Sequence, residues 1–382
     1  SYHLPDGATF LMRRGDEYTE IFPVWDWRRI PGITSAQTGE PYPEIPWGEG
    51  AGGRTSFVGG VSDGEYGAST FTLEKAGLRG QKSWFFLGEA IVALGTEIRP
   101  SPEDGAGRET PVLTSVAQRL QRGNVVISSG GEHATLEAGR CRSNAIDWMH
   151  HDGIGYLFPD PPGRASATIV ARAAEQTGSW HSINRQYAEE TIRREVFSAW
   201  IDHGTGPESA SYRYVLLPDA SPQEVSTFAD AAPVEILRND ASIQAVRHRG
   251  LGRTQAIFRE AGSVEIPGRG LLMADRPCAV QVRIGFDTVT VSAADPTQSR
   301  KRLRLEIGLE LEGDRVGWRR SRGTSRLRLR FPRGRMAGSS VQHTYRLAYP
   351  LRSRGCASTR GARTSGRRLL PGPFTSYRGR MN

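Results

Sequence analysis

Short β-rich runs separated by turn residues constrain the fold of this chain more than any other feature. Each run is bounded by Gly, Pro, Asp or Ser, and the clearest are residues 91–94, 124–128, 167–170, 214–217, 279–284 and 288–292. Only Gly285-Phe286-Asp287 separates the last two runs, which predicts a hairpin. Residues 187–196 are the best helix candidate, but they could equally form a charged edge strand. The pattern predicts an all-β chain built as an antiparallel sandwich.

The composition supports this fold class and excludes others. The chain has 45 Gly and 23 Pro among 382 residues, and together they make up about 18%, against an average near 12%. No run of 18 apolar residues occurs, so the sequence predicts no membrane-spanning helix. The cysteines Cys141, Cys278 and Cys356 are far apart and give neither a disulfide framework nor a zinc pattern. We therefore predict no metal or other cofactor.

The formal net charge of +9 is distributed very unevenly along the chain. Residues 1–300 carry 29 basic and 37 acidic side chains (−8), and residues 301–382 carry 21 and 4 (+17). Within the second part, residues 315–382 contain 18 Arg but no Lys, Asp or Glu. Two interpretations are open for this tail. It is either an out-of-frame reading of a GC-rich gene, or an Arg-rich arm that binds RNA or acidic polysaccharide.

The apolar pattern divides the chain into three parts. A region with two prolines and several small residues, 218–233, marks the first boundary. Alternating apolar residues predict strand up to Leu311, after which the pattern decays. We therefore predict a large sandwich domain over 1–231, a partial C-terminal β-domain over 232–312, and an Arg-rich tail, disordered or out-of-frame, over 313–382. The first residues begin inside a periodic apolar pattern, so we expect a chain cut within a domain.

The densest group of chemically distinctive residues lies near the start of the chain. Two adjacent arginines precede the run Trp25-Asp26-Trp27-Arg28-Arg29, and in a strand its two Trp would share one face. Aromatic rings stack on sugars, and Arg binds carboxylates or sulfates through two N–H groups. The candidate saccharide-binding residues are Arg13, Arg14, Trp25, Trp27, Arg28 and Arg29. The alternative is that both Trp belong to the core and the charged residues pair structurally.

A second group, His150-His151-Asp152, could serve acid–base chemistry. Adjacent His on a strand point to opposite faces, so they cannot both hold one metal ion. One of them could act as a general base, and structural hydrogen bonding in a turn is the alternative. Serine or cysteine nucleophile motifs are not found in the sequence.

Several motifs resemble family 8 polysaccharide lyases, which include hyaluronate, chondroitin AC and xanthan lyases. The run from Asp6 through Arg13-Arg14-Gly15-Asp16-Glu17-Tyr18 to Gly32 resembles their central β-domain. Further motifs follow in the family's order at residues 59–64, 82–86, 150–156, 178–180, 202–204 and 293–298. The resemblance covers about residues 1–312. It implies a galactose-mutarotase-like super-sandwich followed by a smaller C-terminal β-sandwich, which would be incomplete here.

The resemblance also implies a function. The family cleaves uronic-acid polysaccharides by β-elimination, with an Asn that neutralises the uronate carboxylate, a His and a Tyr that move protons, and a nearby Arg. In the family these four residues lie on an N-terminal α/α toroid that this sequence does not contain, so no catalytic residue can be carried over. We expect an extracellular chain, inactive alone, whose partners are an acidic polysaccharide and that toroid, and neither nucleic acid nor membrane. The alternative is a stand-alone saccharide-binding or scaffold module.

Overall fold

The computed structural model describes residues 2–42, 45, 49–101, 108–159 and 167–350, and strands dominate them. Every strand pairing in this part of the chain is antiparallel. The prediction of an all-β antiparallel fold is therefore confirmed. No helix in the described segments is long and apolar enough to cross a membrane.

The first fourteen strands build two sheets. The strands are β1 (Thr34–Ala36), β2 (Val58–Ser62), β3 (Gly67–Lys75), β4 (Leu78–Leu87), β5 (Ala90–Pro100), β6 (Pro111–Leu120), β7 (Val125–Ser129), β8 (Glu132–Leu136), β9 (Gly139–Ser143), β10 (Ile146–His151), β11 (Ile154–Leu157), β12 (Thr168–Gly178), β13 (Ile192–Thr205) and β14 (Ala210–Pro218). Sheet A has the order β1-β6-β13-β12-β9, and sheet B has the order β2-β3-β4-β5-β14-β11-β10-β7-β8. Short helical segments are the 3-10 helices Leu4–Asp6 and Phe22–Val24 and the α-helix α1 (Trp180–Ile183).

The remaining strands build two further sheets after the helix α2 (Pro222–Ala231). They are β15 (Val234–Asn239), β16 (Ile243–His248), β17 (Arg253–Phe258), β18 (Gly262–Ile266), β19 (Gly270–Ala274), β20 (Cys278–Ile284), β21 (Thr288–Ala294), β22 (Arg302–Ile307), β23 (Leu311–Glu312), β24 (Val316–Arg319), β25 (Thr324–Arg330) and β26 (Val341–Leu347), with a 3-10 helix at Gly334–Met336. Sheet C has the order β15-β16-β17-β20-β21-β26-β23, and sheet D has the order β18-β19-β22-β25-β24. The predicted hairpin is β20 and β21.

The four sheets stack in the order A, B, C, D, and sheet B is buried on both faces over most of its width. Alternate residues of its strands enter different cores, because successive side chains of a strand point to opposite faces. Trp84 and Tyr214 belong to the core shared with sheet A. Phe85 and Val215 belong to the core shared with sheet C, and sheets C and D enclose a third core. The two sandwiches are therefore joined through a common apolar layer.

Polar contacts also fix sheet C against sheet B. The Ser83 hydroxyl donates to the Gln244 side-chain oxygen at 2.6 Å, and both residues are buried. Arg253 forms an ion pair with Asp63 at 2.5 Å. Buried polar groups that find partners in this way restrict how the two layers can slide.

The predicted boundary region 218–233 contains the helix α2. Ser221 and Glu224 form a capping box at its start, and Pro222 occupies the first turn, where its missing N–H costs nothing. Val225 packs directly over Gly155 of β11, where an added Cβ would approach the Val225 methyl at 2.4 Å. The helix therefore covers the end of sheet B just before the chain enters sheet C.

The prediction of a disordered tail over 313–382 is wrong for residues 313–347, and the out-of-frame alternative stays a prediction. Strands β24, β25 and β26 complete sheets C and D there, so the smaller sandwich does not stop at residue 312. In β25, Leu327 and Leu329 face the core opposite leucines of β22, and arginines alternate with them. The high Arg content masked this alternation. Residues 351–382 lie outside the described residues, and the out-of-frame hypothesis stays a prediction for them.

Leu327→Ala tests this correction, because Leu327 is fully buried between sheets C and D. We expect the substitution to lower the free energy of unfolding by about 2–5 kcal/mol. Arg346→Ala, at an exposed position of β26, is the control. It should change the free energy of unfolding by no more than about 0.5 kcal/mol. Chemical denaturation of the whole chain measures both, and equal effects of the two variants would contradict the strand assignment.

Candidate functional site

The structure divides the six predicted saccharide-binding residues between two places. Arg13 and Arg14 lie in a cluster of carboxylates beside the β10–β11 turn. The other four, Trp25, Trp27, Arg28 and Arg29, lie in the segment that crosses the outer face of sheet A.

Carboxylates engage both arginines of the first group. Arg13 donates to Asp219 through Nε at 3.2 Å and Nη2 at 2.7 Å. Arg14 Nη2 donates to the two oxygens of Asp152 at 2.9 and 2.8 Å. These bonds attach the N-terminal segment to the turn after β10 and to the start of α2. They support the structural alternative for Arg13 and Arg14.

Glu17 closes the turn that carries these arginines. Its buried carboxylate accepts backbone N–H bonds from Arg13 at 2.7 Å, Arg14 at 2.9 Å and Gly15 at 3.0 Å. Burial alone would raise the pKa of Glu17, but the backbone donors outweigh it and hold the pKa at about 2. The buried guanidinium of Arg119 lies 3.6 Å from this carboxylate. Glu17 is therefore ionised at neutral pH and serves to shape the segment.

The two histidines at the end of β10 have structural partners. The His151 ring is buried, and its Nε2 accepts the Arg122 backbone N–H at 3.1 Å. Burial, and next the charge of Arg119, lower the pKa of His151 to about 3. His150 Nε2 donates to the Ala220 carbonyl at 2.8 Å. These contacts support the structural alternative and give no support to a general base.

Trp25 is a core residue and Trp27 lies at the edge of the same cluster. Trp25 is 6% exposed, and its indole N–H donates to the Gln118 carbonyl at 3.3 Å. Trp27 is half-buried and contacts the Trp25 ring edge-on, with 5.4 Å between centroids. The segment follows a 3-10 helix and turns, so the expected strand geometry is wrong here. The prediction of two sugar-facing tryptophans is not supported for Trp25.

The side-chain amide of Gln118 fixes this segment to sheet A. Its oxygen accepts the Asp26 backbone N–H at 2.8 Å, and its nitrogen donates to the carbonyls of Asp26 and Arg29 at 3.0 Å each. Gln118 is 1% exposed, so these bonds are shielded from water. They determine where the next two arginines leave the segment.

Arg28 and Arg29 lie over aromatic rings. The Arg29 guanidinium is 4.4 Å from the Trp200 ring centroid on β13, and the Arg28 guanidinium is 4.4 Å from the Tyr42 centroid. Arg29 also bonds Gln37 at 3.0 Å and lies 3.2 Å from Asp26. Burial lowers the pKa of Arg29, the nearby Asp26 raises it, and the charges of Arg172 and Arg140 lower it further.

Sequence reasoning missed two residues that belong to this surface, Arg140 and Arg172. They stand directly opposite one another on β9 and β12. The Arg140 guanidinium lies 5.5 Å from the centroid of the Trp200 ring. Only strand pairing brings these residues together, since they are 32 positions apart in the sequence. We call Arg28, Arg29, Arg140 and Arg172, with Tyr42 and Trp200, the sheet A arginine surface.

The carboxylates near this surface do not neutralise the positive charge of its four arginines. Asp26 pairs with Arg29, and Asp202 is engaged by a further arginine, Arg142, at 2.7 Å. A surface with surplus guanidinium groups held on aromatic rings favours an anionic ligand with carboxylate or sulfate groups. No group of three metal-ligating side chains occurs among the residues that the structure describes.

Comparison with known proteins identifies the family. The family model described as polysaccharide lyase family 8, super-sandwich domain, matches residues 1–229, and the one described as its C-terminal beta-sandwich domain matches residues 235–304. The chain belongs to polysaccharide lyase family 8. The resemblance deduced from the motifs, including the super-sandwich fold, is therefore confirmed.

Three family 8 relatives illustrate the similarity. The chain is 35% identical to Chondroitinase-AC of Pedobacter heparinus over 89% of its own length and 45% of that protein. It is 32% identical to Hyaluronate lyase of Thermasporomyces composti over 76% of its length and 36% of that protein. A solved structure of a chondroitinase AC lyase superposes with a TM-score of 0.76 at 34% identity, covering 88% of this chain and 47% of that one. The chain thus spans less than half the length of these relatives.

His151→Gln tests the structural role of that histidine through pH. Because the folded-state pKa is about 3 and the unfolded value is about 6.5, only the unfolded state binds a proton between these values. The free energy of unfolding of the wild type therefore falls as the pH drops below about 6.5, by about 1.4 kcal/mol per pH unit from this group.

The variant should lack this part of the slope, because glutamine does not bind a proton in this pH range. Its side-chain oxygen can still accept the Arg122 N–H, so the fold should be kept. His343→Gln, at an exposed position of β26, is the control and should follow the wild-type curve. Urea denaturation at several pH values between 6.5 and 4 provides the measurement. An unchanged slope in His151→Gln would contradict the neutral, buried state of His151.

Proposed function

We propose that this chain is the β-sandwich portion of a secreted lyase that cleaves uronic-acid polysaccharides of the hyaluronan, chondroitin or xanthan type by β-elimination. Family membership supports the reaction class, and relatives named for chondroitin, hyaluronate and xanthan support the substrate class. The family resemblance assigns the chemistry to four residues of a helical domain that this sequence does not include: an Asn that neutralises the uronate carboxylate, a His and a Tyr that transfer protons, and a nearby Arg. The chain alone is therefore inactive, and the helical domain is its partner.

The sheet A arginine surface is the part of this chain that binds the polysaccharide. The Arg29 and Arg140 guanidinium groups are held near the Trp200 ring, at 4.4 and 5.5 Å from its centroid. Because these side chains are already ordered, binding a uronate carboxylate or a sulfate costs little further side-chain entropy. Each bond from a guanidinium to an anionic group is charge-assisted and stronger than a neutral hydrogen bond. The surface thereby holds the polymer in place while the helical domain supplies the chemistry.

The observation that carries this role is the pairing of Arg140 with Arg172 across two strands. Like charges directly opposite one another destabilise a sheet, and an anion bound between them removes that cost. A neutral or cationic polysaccharide would gain nothing from this arrangement. The alternative function, a stand-alone saccharide-binding or scaffold module, would use the same surface but would not require the helical domain.

The double variant Arg140→Gln/Arg172→Gln tests the binding role. We expect the Kd for a short chondroitin sulfate oligosaccharide to rise about tenfold or more, since charge-assisted hydrogen bonds contribute about 1.5–3 kcal/mol each. The control Arg79→Gln/Arg193→Gln removes the same charge from exposed arginines paired with Glu74 and Glu175. Calorimetric titration measures both, and equal affinities of the two double variants would contradict the assignment of the surface.

A further inference from the structure

The outer face of sheet D carries a row of arginines that form no ion pair within the part of the chain that the structure describes. Sheet D turns leucines of β22 and β25 toward sheet C, so the alternate positions of both strands face outward. The register places Arg302 opposite Arg330 and Arg304 opposite Arg328, and all four are exposed. Two like-charged pairs therefore stand side by side on one face.

Other arginines of the same region have carboxylate partners. Glu306 accepts bonds from Arg319 at 2.9 Å and Arg326 at 3.1 Å. Arg315 pairs with Asp314 at 3.3 Å. Asp275 accepts the Arg304 backbone N–H at 3.0 Å, but its carboxylate forms its side-chain ion pair with Arg276. The side chains of Arg302, Arg304, Arg328 and Arg330 make no ion pair within the described residues.

These arginines line a groove of about 620 Å³ on the sheet surface. Along each strand, outward positions recur about every 6.8 Å, and across the pair they are about 5 Å apart. Such a flat grid can contact anionic groups that recur along one extended polymer. Like charges placed opposite one another are unfavourable when the groove is empty, and a bound polyanion relieves the repulsion.

We propose that this face of sheet D, residues Arg302, Arg304, Arg328 and Arg330, is a second polysaccharide-binding surface that takes a carboxylated or sulfated chain. It lies on the last of the four stacked layers, whereas the sheet A arginine surface lies on the first. A long polymer, or two different chains, can therefore be held at both ends of the molecule. The choice of polysaccharide as partner rests on the proposed function.

One feature of the groove favours a polysaccharide over a single-stranded nucleic acid. Proteins that bind single-stranded nucleic acids present exposed aromatic rings on which bases stack. Trp318 is the single aromatic residue among the described residues that line the groove, and it is half-buried. Guanidinium groups make up the rest of the polar lining. They form paired bonds to carboxylates, sulfates and phosphates alike, so the choice of polysaccharide rests on the aromatic residues and on the proposed function.

The double variant Arg304→Gln/Arg328→Gln tests the proposal in the whole chain. At low salt we expect the affinity for polymeric chondroitin sulfate to fall about tenfold or more, and the slope of log K against log salt to become shallower by one to two, about one per lost contact. The control Arg79→Gln/Arg193→Gln should bind the polymer like the wild type. The thermal midpoint of the double variant should be unchanged or higher, because the charge repulsion is removed. If the double variant does not fold, the single variant Arg328→Gln carries the same comparison.

The ligands separate this proposal from the proposed function. If the Arg304/Arg328 variant binds the polymer as well as the control does, the sheet D proposal is overturned, whatever happens on sheet A. A second outcome is that the Arg304/Arg328 variant loses affinity for the polymer while Arg140→Gln/Arg172→Gln does not change the Kd for the oligosaccharide. The sheet D proposal is then supported and the sheet A assignment is contradicted. If a duplex RNA of equal charge binds more tightly than chondroitin sulfate and the Arg304/Arg328 variant loses it, the assignment to polysaccharide is overturned.

Discussion

Burial of both faces of sheet B is the constraint on which the rest of this structure depends. Consecutive residues such as Trp84 and Phe85, or Tyr214 and Val215, enter two different cores. Neither face can be left in water without exposing large apolar side chains. Sheets A and C must therefore both dock, and sheet D then covers the far face of sheet C. Among the described residues, the two edge strands of sheet B, β2 and β8, are more exposed than the strands between them.

This four-layer stack determines where a ligand can bind. The inner faces of sheets A and D are occupied by cores, so the polysaccharide that we propose as ligand can reach these two sheets from their outer faces. Both outer faces carry arginines that stand opposite one another across strands, Arg140 with Arg172 and Arg304 with Arg328. The basic side chains behind the net charge of +9 are thus partly displayed on ordered sheet surfaces, and do not all lie in residues 351–382.

Local patterns in the sequence predicted the strands well. Residues 214–217 and the hairpin at 285–287 were predicted correctly because short apolar runs and turn residues are local signals. The tail prediction failed over β25 because the proportion of arginines was weighed above the alternation of Leu327 and Leu329 with them. Arg13 and Arg14 could not be assigned, since the carboxylates that bind them at 2.7–2.9 Å, Asp219 and Asp152, lie more than 130 positions away. The pairing of Arg140 with Arg172 depends on strand register, which the sequence alone does not specify.

We propose that this chain positions an acidic polysaccharide while a helical domain performs the elimination. The most direct measurement is the ultraviolet absorbance of the unsaturated uronate product when the chain is incubated with chondroitin sulfate, hyaluronan or xanthan, beside a full-length family 8 lyase as positive control. The account predicts no product from the chain alone and product when the chain is fused to the helical domain of a family 8 relative. Product formed by the chain alone would contradict it, because the reacting groups would then lie among these 382 residues.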